Sequence, residues 1–489
     1  MNFERCTPEE VGISSAAIQQ YIETLENSAL ATHDLIIMRH GKIIFEHYWK
    51  PFHKDFMHRM YSVTKSFVSL AIGFLLQDGK IDLDDKLIQY FPKEYECQPD
   101  ENFRNQTIRH TLMMATSLPK RSWFVDKPED RVQHYFENPS KNSRPSGTVF
   151  TYDSEGSFIL GALVERVTGM KLMEYLRVKL FDKIGVGEMD CLLCPGGHSW
   201  SDSALICRPM DLLRVAKFCM DKGRYNGEQI LNEEYVTAAC AKQIGCSNAG
   251  LNEFDDQGYG YQIWRSFDNS FFFNGMGCQF ALCIPDKDII MVYNADNQGN
   301  PAAKKIIFDN FFNLVSRPAG EPLPHDEAAL RALAEYADGL KLYAAKGEKH
   351  AELEKEINGV TYKMLENPMG ITRMSLEFRE NGGFFRYTNA QGDKEIPFGL
   401  CQNAFSLFPQ EGYADLMGTK EGDRLYQCAA SAAWVSEYQF FIKVQIIDTY
   451  FGNFNINIGF DGDKVGMLMV KTAEDFLKEY EGFAGGEKA

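Results

Sequence analysis

One segment limits what this chain can fold into more than any other. Residues 61–79 read Tyr-Ser-Val-Thr-Lys-Ser-Phe-Val-Ser-Leu-Ala-Ile-Gly-Phe-Leu-Leu-Gln-Asp-Gly. Val63, Phe67, Val68, Leu70, Ala71, Ile72, Phe74, Leu75 and Leu76 leave no wide polar face, and a helix apolar nearly all round is buried. Ser62 falls at or near its start, and Gly79 is a natural stop one residue past its end. Ser62 and Lys65, three apart, share one helix face a turn apart. A lysine is costly to bury unless it finds a partner or loses its proton, and a lysine with a lowered pKa can activate a serine hydroxyl. Taken alone, the spacing fits equally well a capped helix whose lysine reaches back to solvent. Ser117-Leu118-Pro119-Lys120 repeats the spacing, but Pro119 breaks a helix interior and no long apolar run follows.

At 489 residues and 44% hydrophobic content, the chain can hold two or three domains of ~150 residues with sizeable cores. A net charge of −17 argues against nucleic acid and anionic membrane as main partners. Cys191 and Cys194 form a lone C-x-x-C, whereas structural zinc needs two more ligands. They read as reduced thiols, and no metal or cofactor is expected. The N-terminus lacks the basic start and apolar core of a secretory signal. No run of about eighteen apolar residues occurs that could span a membrane. The expectation is a soluble cytoplasmic protein. G-x-S-x-G, H-E-x-x-H and Walker motifs are absent, and Gly185-Val186-Gly187 and Gly275-Met276-Gly277 lack the third glycine of a dinucleotide fingerprint.

Along the chain, Ala16–Leu25 has helical periodicity, and His33–His47 reads as a buried hairpin turning at Arg39-His40-Gly41-Lys42. Thr107–Met114 is a short helix. Residues 120–148, rich in charge, Pro, Asn and Ser, read as a long surface excursion of the kind that lines sites. Gly156–Thr168, Pro209–Asp221, Asn232–Ala241 and Lys304–Val315 read as helices. Tyr259–Trp264, Ser270–Gln279, Phe280–Ile284 and Ile289–Tyr293 read as successive strands. The Pro- and Gly-rich run from Arg317 to Pro324 ends this texture. The expected division is 1–316, a linker and helical connection at 317–358, and a β-rich domain at 359–489. The last has strands at Phe440–Ile447, Phe454–Phe460 and Val465–Val470 and a closing helix at Glu474–Tyr480.

Beyond Ser62-Val63-Thr64-Lys65, further phrases follow in order. They include Gln106-Thr107-Ile108-Arg109-His110-Thr111-Leu112-Met113-Met114-Ala115-Thr116-Ser117, Tyr152-Asp153-Ser154, Asn226-Gly227-Glu228-Gln229-Ile230-Leu231 and Gly258-Tyr259-Gly260-Tyr261, and end at Gly275-Met276-Gly277-Cys278-Gln279 running on to Ile284-Pro285-Asp286. With these, residues 5–315 resemble the serine β-lactamase and penicillin-recognising superfamily, and most of all its class C-like esterases and 6-aminohexanoate-dimer hydrolase relatives. The resemblance implies an α+β fold: an antiparallel sheet flanked by helices plus an α-helical cluster, followed here by a C-terminal antiparallel β domain. It implies Ser62 as the acyl-forming nucleophile, Lys65 as its activating neighbour and Tyr152 as the proton shuttle. Such proton transfer contributes about 10²–10⁴-fold. A phenol titrates near ~10 in water, so that role needs Lys65 beside it. The same resemblance puts Ser154, Asn274, Gly275 and Met276 at the substrate and oxyanion sites, with the backbone N–H groups of Ser62 and Met276 as the oxyanion donors.

Two departures shape the expected chemistry. Ser154 stands where the family has Asn, and Phe273-Asn274-Gly275 stands where it has Lys-Thr-Gly or His-x-Gly. Phe273 cannot bind a carboxylate, which argues against a true β-lactamase or a D-Ala-D-Ala peptidase. Lys471-Thr472-Ala473 and Ser201-Asp202-Ser203 imitate family motifs out of place and are set aside, with Thr472 read as a helix N-cap. His198 reads as a solvated loop residue. The expected activity is acyl-enzyme hydrolysis of a small ester or amide. Acyl transfer to an alcohol or amine, or a non-catalytic binding role on the same fold, are the alternatives.

Overall fold

The computed structural model describes residues 3–94, 100–117, 123–137, 143–247, 249–410, 424–472 and 480–489. Backbone contacts divide the chain into two units, Met1–Asn297 with Ala302–Lys341, and Gln298–Pro301 with Leu342–Ala489. The division falls inside the stretch expected to be a connection.

In the first unit, helix α1 (Ser15–Asn27) leads into strands β1 (Thr32–Arg39) and β2 (Lys42–Tyr48). Their hairpin closes as expected, because His40 and Gly41 take φ of 51° and 73°, the twist that a two-residue turn requires. Strand β3 (His58–Arg59) precedes helix α2 (Thr64–Gln77), and helix α3 spans Ser154–Thr168. Strands β4 (Met189–Cys191) and β5 (Leu205–Cys207) form a small sheet with β3, β5 in the middle. Helix α4 (Pro209–Met220) follows, then strands β6 (Trp264–Arg265), β7 (Phe271–Gly275), β8 (Gln279–Ile284) and β9 (Ile289–Ala295). The main sheet runs β2-β1-β9-β8-β7-β6, antiparallel throughout. Helices α1, α5 (Ala303–Asn310) and α6 (Glu327–Asp338) share one core with Leu35, Ile37, Phe272, Phe280 and Leu282. On the opposite face Cys283 points at α4 and its thiol donates to the Ala216 carbonyl at 3.7 Å.

Helix α2 is buried from Thr64 through Leu75, as its all-round apolar pattern demands. Gly79, at φ 65°, terminates it, its N–H donating to Leu76 O. Two expectations are corrected. Tyr259–Trp264 is a bent segment joined by single bridges to Ile244 and Trp264, because Gly258 (φ 129°) and Gln262 (φ 60°) break the extended run. Within 120–148, the described residues include helices Trp123–Asp126 and Arg131–Glu137, and Arg131, Val132, Tyr135 and Phe136 are buried rather than on the surface.

In the second unit, ten strands follow: β10 (Thr361–Met364), β11 (Arg373–Arg379), β12 (Gly382–Asn389), β13 (Gly392–Leu400), β14 (Ala404–Leu407), β15 (Gln427–Ser436), β16 (Gln439–Ile447), β17 (Phe451–Asp461), β18 (Lys464–Thr472) and β19 (Gly482–Lys488). Neighbours pair antiparallel, and β13 meets β15 in parallel at Gly399–Ser431 and Leu400–Ala432, which closes a β barrel. Met374, Leu376 and Phe378 alternate inward. Phe378, Phe398, Trp434 and Phe440 fill the interior, with ring centroids 5.1–6.3 Å apart. The closing helix expected at 474–480 lies almost wholly outside the described residues. Thr472 ends a strand and its hydroxyl donates to Asn453 O at 3.1 Å.

Gly73 makes the packing of α2 testable. A Cβ added there would meet Tyr235 Cε1 at 2.4 Å, and Tyr235 is tethered by its hydroxyl to Ser69 O at 2.7 Å. Alanine gains about 1 kcal/mol over glycine in a helix, but overpacking costs about 1–3 kcal/mol. Gly73→Ala is therefore expected to lower the melting temperature of the full chain. A higher melting temperature would mean that Tyr235 moves aside freely.

Candidate functional site

Ser62 sits in a 3-10 turn, Tyr61–Val63, immediately before α2. Tyr61 is held at φ 48°, a conformation costly for a bulky side chain. The turn is stitched to β5 on both sides. Met60 N–H donates to Leu205 O at 2.8 Å. The Thr64 hydroxyl donates to Tyr61 O at 2.5 Å and accepts from Leu205 N–H at 2.9 Å. The Arg59 guanidinium lies 4.5 Å from the centre of the Tyr61 ring.

Lys65, 2% exposed, donates to Ser62 Oγ at 2.9 Å and to the backbone carbonyl of Asp202 at 2.6 Å. Its Nζ lies 5.1 Å from the centre of the Tyr152 ring. Tyr152 is stacked on Trp264 at 5.7 Å and 21°, and Phe150 packs on the same indole. The residue after Tyr152, Asp153, caps α3: its carboxylate accepts from Gly156 N–H at 3.0 Å and from the Thr116 hydroxyl at 2.8 Å. The structure thus brings together Ser62 from the turn before α2, Lys65 from α2 and Tyr152 from just before the cap of α3.

Gly275 explains how β7 reaches the same place. A Cβ at Gly275 would fall 2.2 Å from Met60 O, so only a glycine lets this strand touch the backbone beside Ser62. Met276 follows in a tight turn with Gly277 and Cys278 at φ 79° and 77°. The Gln279 amide clamps that turn, donating to Met276 O at 2.8 Å and Ala295 O at 2.6 Å. Asn274 is half-buried. Phe273 is fully buried, its ring edge-on to Phe67 of α2 at 6.4 Å. Ser154 is the first residue of α3 and, among the described residues, makes no side-chain hydrogen bond with Lys65.

Three polar residues that carried no expected role hold the site. Gln262 accepts from Ser157 Oγ at 2.6 Å and donates to Leu112 O at 2.9 Å, while its own carbonyl accepts from Ser66 Oγ at 2.9 Å. Gln279 clamps the Met276 turn. Asp202, in the segment set aside as an imitation, supplies Lys65 with a carbonyl, and burial pushes its carboxyl above the usual range against the pull of Lys65, Arg131 and Arg59. Gln262 lies beside the Gly258-Tyr259-Gly260-Tyr261 phrase and Gln279 ends the phrase that starts at Gly275, but neither phrase marks their hydrogen-bonding role. Ser117 instead binds Gln106 through its hydroxyl at 3.0 Å, and Lys120 lies outside the described residues. His198 is held by Glu165 at 2.7 Å. Burial disfavours the Glu165 carboxylate, but hydrogen bonds from His198 and Ser199 outweigh it and hold the group low. Among the described residues no cluster of three or more His, Cys, Asp or Glu could hold a metal, and no helix is long and apolar enough to cross a membrane.

The family model described as Beta-lactamase matches residues 16–309. The chain is similar to the 6-aminohexanoate-dimer hydrolase of Paenarthrobacter ureafaciens, with 23% identity over 282 residues, 53% of this chain and 71% of that protein. Among solved structures it is similar to the octameric penicillin-binding protein homologue from Pyrococcus abyssi, with a TM-score of 0.51 and 16% identity over 96% of this chain and 99% of the other. It is also similar to EstCE1, a hydrolase with promiscuous acyltransferase activity, with a TM-score of 0.52 and 14% identity over 61% of this chain and 99% of that one.

The cap beside Tyr152 gives a direct check. Losing an Asp N-cap costs about 1–2 kcal/mol, so Asp153→Ala is expected to lower the melting temperature. Asp153→Asn, which caps equally well, should recover most of the loss. Equal loss in both variants would assign the effect to the charge rather than to the cap.

Proposed function

Since the chain belongs to the Beta-lactamase family, a family of serine hydrolases, we propose that it hydrolyses a small, uncharged or amphipathic ester or amide through an acyl-enzyme on Ser62. The observation that carries this reading is the buried Lys65 ammonium, 2.9 Å from Ser62 Oγ and facing the Tyr152 ring. Lys65 thus stands between Ser62 and Tyr152. The Ser62 proton passes to the Lys65–Tyr152 pair as Oγ attacks the acyl carbon, and the same pair returns it to the leaving alcohol or amine. Water completes the cycle by the reverse transfer, breaking the acyl bond and freeing Ser62.

The N–H groups of Ser62 and Met276 are the proposed oxyanion donors. Such a donor contributes on the order of 10²–10³ in rate. The touch of Gly275 against Met60 O is what brings residue 276 to the nucleophile. The substrate class follows from Phe273, whose buried ring offers no charge to a carboxylate. Transfer of the acyl group to an alcohol or amine uses the same residues, and EstCE1, which shares the fold, is described as having that activity.

Intact mass after incubation with p-nitrophenyl acetate and butyrate tests the reading. A nitrophenol burst and an acyl mass shift are expected in the wild type and not in Ser62→Ala. An adduct that survives Ser62→Ala overturns the choice of nucleophile. A folded protein that forms no adduct with a broad ester panel supports a binding role instead. Acceptor alcohols added during turnover separate transfer from hydrolysis. Gly275→Ala should fold yet lose on the order of 10²–10³ in the acylation rate, as when one oxyanion donor is removed; an unchanged rate would place the oxyanion elsewhere.

A further inference from the structure

The second unit carries a cleft that the chemistry at Ser62 does not use. Its volume is about 840 Å³, within the range of clefts that hold small molecules. Two segments line it: residues 346–356, and residues 434–438, the end of β15 and its turn into β16. We propose that this cleft binds a small organic cation with an apolar body, such as a hydrophobic primary amine. The apolar body lies against Trp434, Val435 and Tyr438, and the positive charge lies among Glu348, Glu356 and Glu437.

The floor is Trp434, which is buried and stacked on Phe378 of the barrel interior at 5.7 Å. Residues 346–348 lie directly on β15. Glu348 and Trp434 exchange backbone hydrogen bonds at 2.9 Å, and a Cβ at Gly347 would fall 2.3 Å from Trp434 O. Trp434 Nε1 donates to the Glu354 carboxylate at 2.7 Å, and His350 bonds the same carboxylate at 3.0 Å and Glu380 O at 3.1 Å. The lining is therefore ordered by the fold itself, which lowers the cost of binding. Ala351 and Leu353 are half-buried, whereas Val435 and Tyr438 are 51% and 60% exposed. Exposed apolar side chains scattered singly mean little, but two grouped in one cleft beside a buried indole mark a binding surface.

Charge selects the ligand class. Glu354 is already taken up by Trp434 and by His350, whose two ring nitrogens both face acceptors, which favours the imidazolium form. Glu352 pairs with Lys355. Glu348, Glu356 and Glu437 are exposed and, among the described residues, belong to no ion pair. One lining lysine, Lys346, stands against these three. An anionic ligand meets net repulsion here, and a neutral one gains nothing from the carboxylates. An ammonium on an apolar body uses both features, and the Tyr438 ring adds a face that attracts cations.

The test is calorimetric titration of the full chain with phenethylamine, its neutral match phenylethanol and its anionic match phenylpropionate. For a ligand of this size, saturable phenethylamine binding with a Kd on the order of 1 mM or tighter is expected. Exposed charge pairs are individually weak, so the alcohol should bind about 10-fold and the acid about 10²-fold less tightly than the amine. Raising NaCl from about 0.05 to about 0.5 M should narrow the gap between amine and alcohol. The double variant Glu348→Gln, Glu437→Gln should bring the amine down to the affinity of the alcohol. Tyr438→Ala should weaken amine and alcohol alike, by about 3–10-fold. All three positions are exposed, so the variants keep the fold.

Absence of saturable phenethylamine binding overturns the proposal. Equal affinity for amine and alcohol overturns it too, since the carboxylates then select nothing. Amine binding that the cleft variants leave unchanged places the amine elsewhere on the chain and overturns it as well. A peptide of alternating Lys and Leu that binds where phenethylamine does not makes the occupant a basic protein segment and overturns the small-molecule reading.

Discussion

A single buried ammonium sets the terms for the first unit. Desolvating a lysine costs several kcal/mol unless its hydrogens are taken up, and Lys65 meets that cost with Ser62 Oγ and the carbonyl of Asp202. Both partners must then be held rigidly. The Ser62 turn cannot relax, because Met60 and Thr64 bond to the same residue of β5, Leu205. Asp202 lies three residues before Leu205 on the same chain segment. The small β3-β5-β4 sheet is thus what fixes Ser62 relative to Lys65. A left-handed Tyr61 is tolerated there because its surroundings over-determine it.

The second constraint is steric. Sheet and helix meet with backbone against backbone at Gly275 and Met60, and again at Gly260, where an added Cβ would lie 2.1 Å from Ala239 O. Side chains cannot mediate contacts that close. The polar groups left over are collected by two glutamines. Gln262 ties α2, α3 and the Ile108–Leu112 turn together, and Gln279 ties the Met276 turn to the end of β9. Each amide offers two donors and an acceptor in one plane, which suits a point where three chain segments meet.

What could be read from the sequence follows from this division of labour. Helix α2 was legible because burial on all sides writes itself as an unbroken apolar wheel with a glycine at the end. Ser62, Lys65 and Tyr152 were legible through spacing and order, and the structure brings them together. The roles of Asp202, Gln262 and Gln279 were not, since Asp202 and Gln262 act on partners far along the chain and Gln279 joins Met276 to Ala295. Ser201-Asp202-Ser203 was set aside for its position in the sequence, yet the loop folds back onto α2. In the second unit, strand β19, Gly-Phe-Ala-Gly-Gly-Glu-Lys, has hardly any β-forming residues, and pairing with β10 and β18 overrides that weak propensity. Tyr259–Trp264 errs the other way: aromatic content suggested a strand, but two positive φ angles bend it.

Phe273 shows why the altered recognition strand is not a worn copy of a charged one. Its ring is fully buried and meets Phe67, which also packs on Phe181. A cation at this position would enter an apolar cluster on the inner side of α2 and leave the Phe67 ring uncovered. Losing a buried phenylalanine costs about 3–5 kcal/mol, and an unpaired buried charge adds to that. A cation here would therefore disturb the neighbouring core as well as its own position. Lys65, meanwhile, keeps its partners a short distance away. Phe273 and Lys65 thus place opposite demands on α2, an apolar cover for one ring and polar partners for one amine.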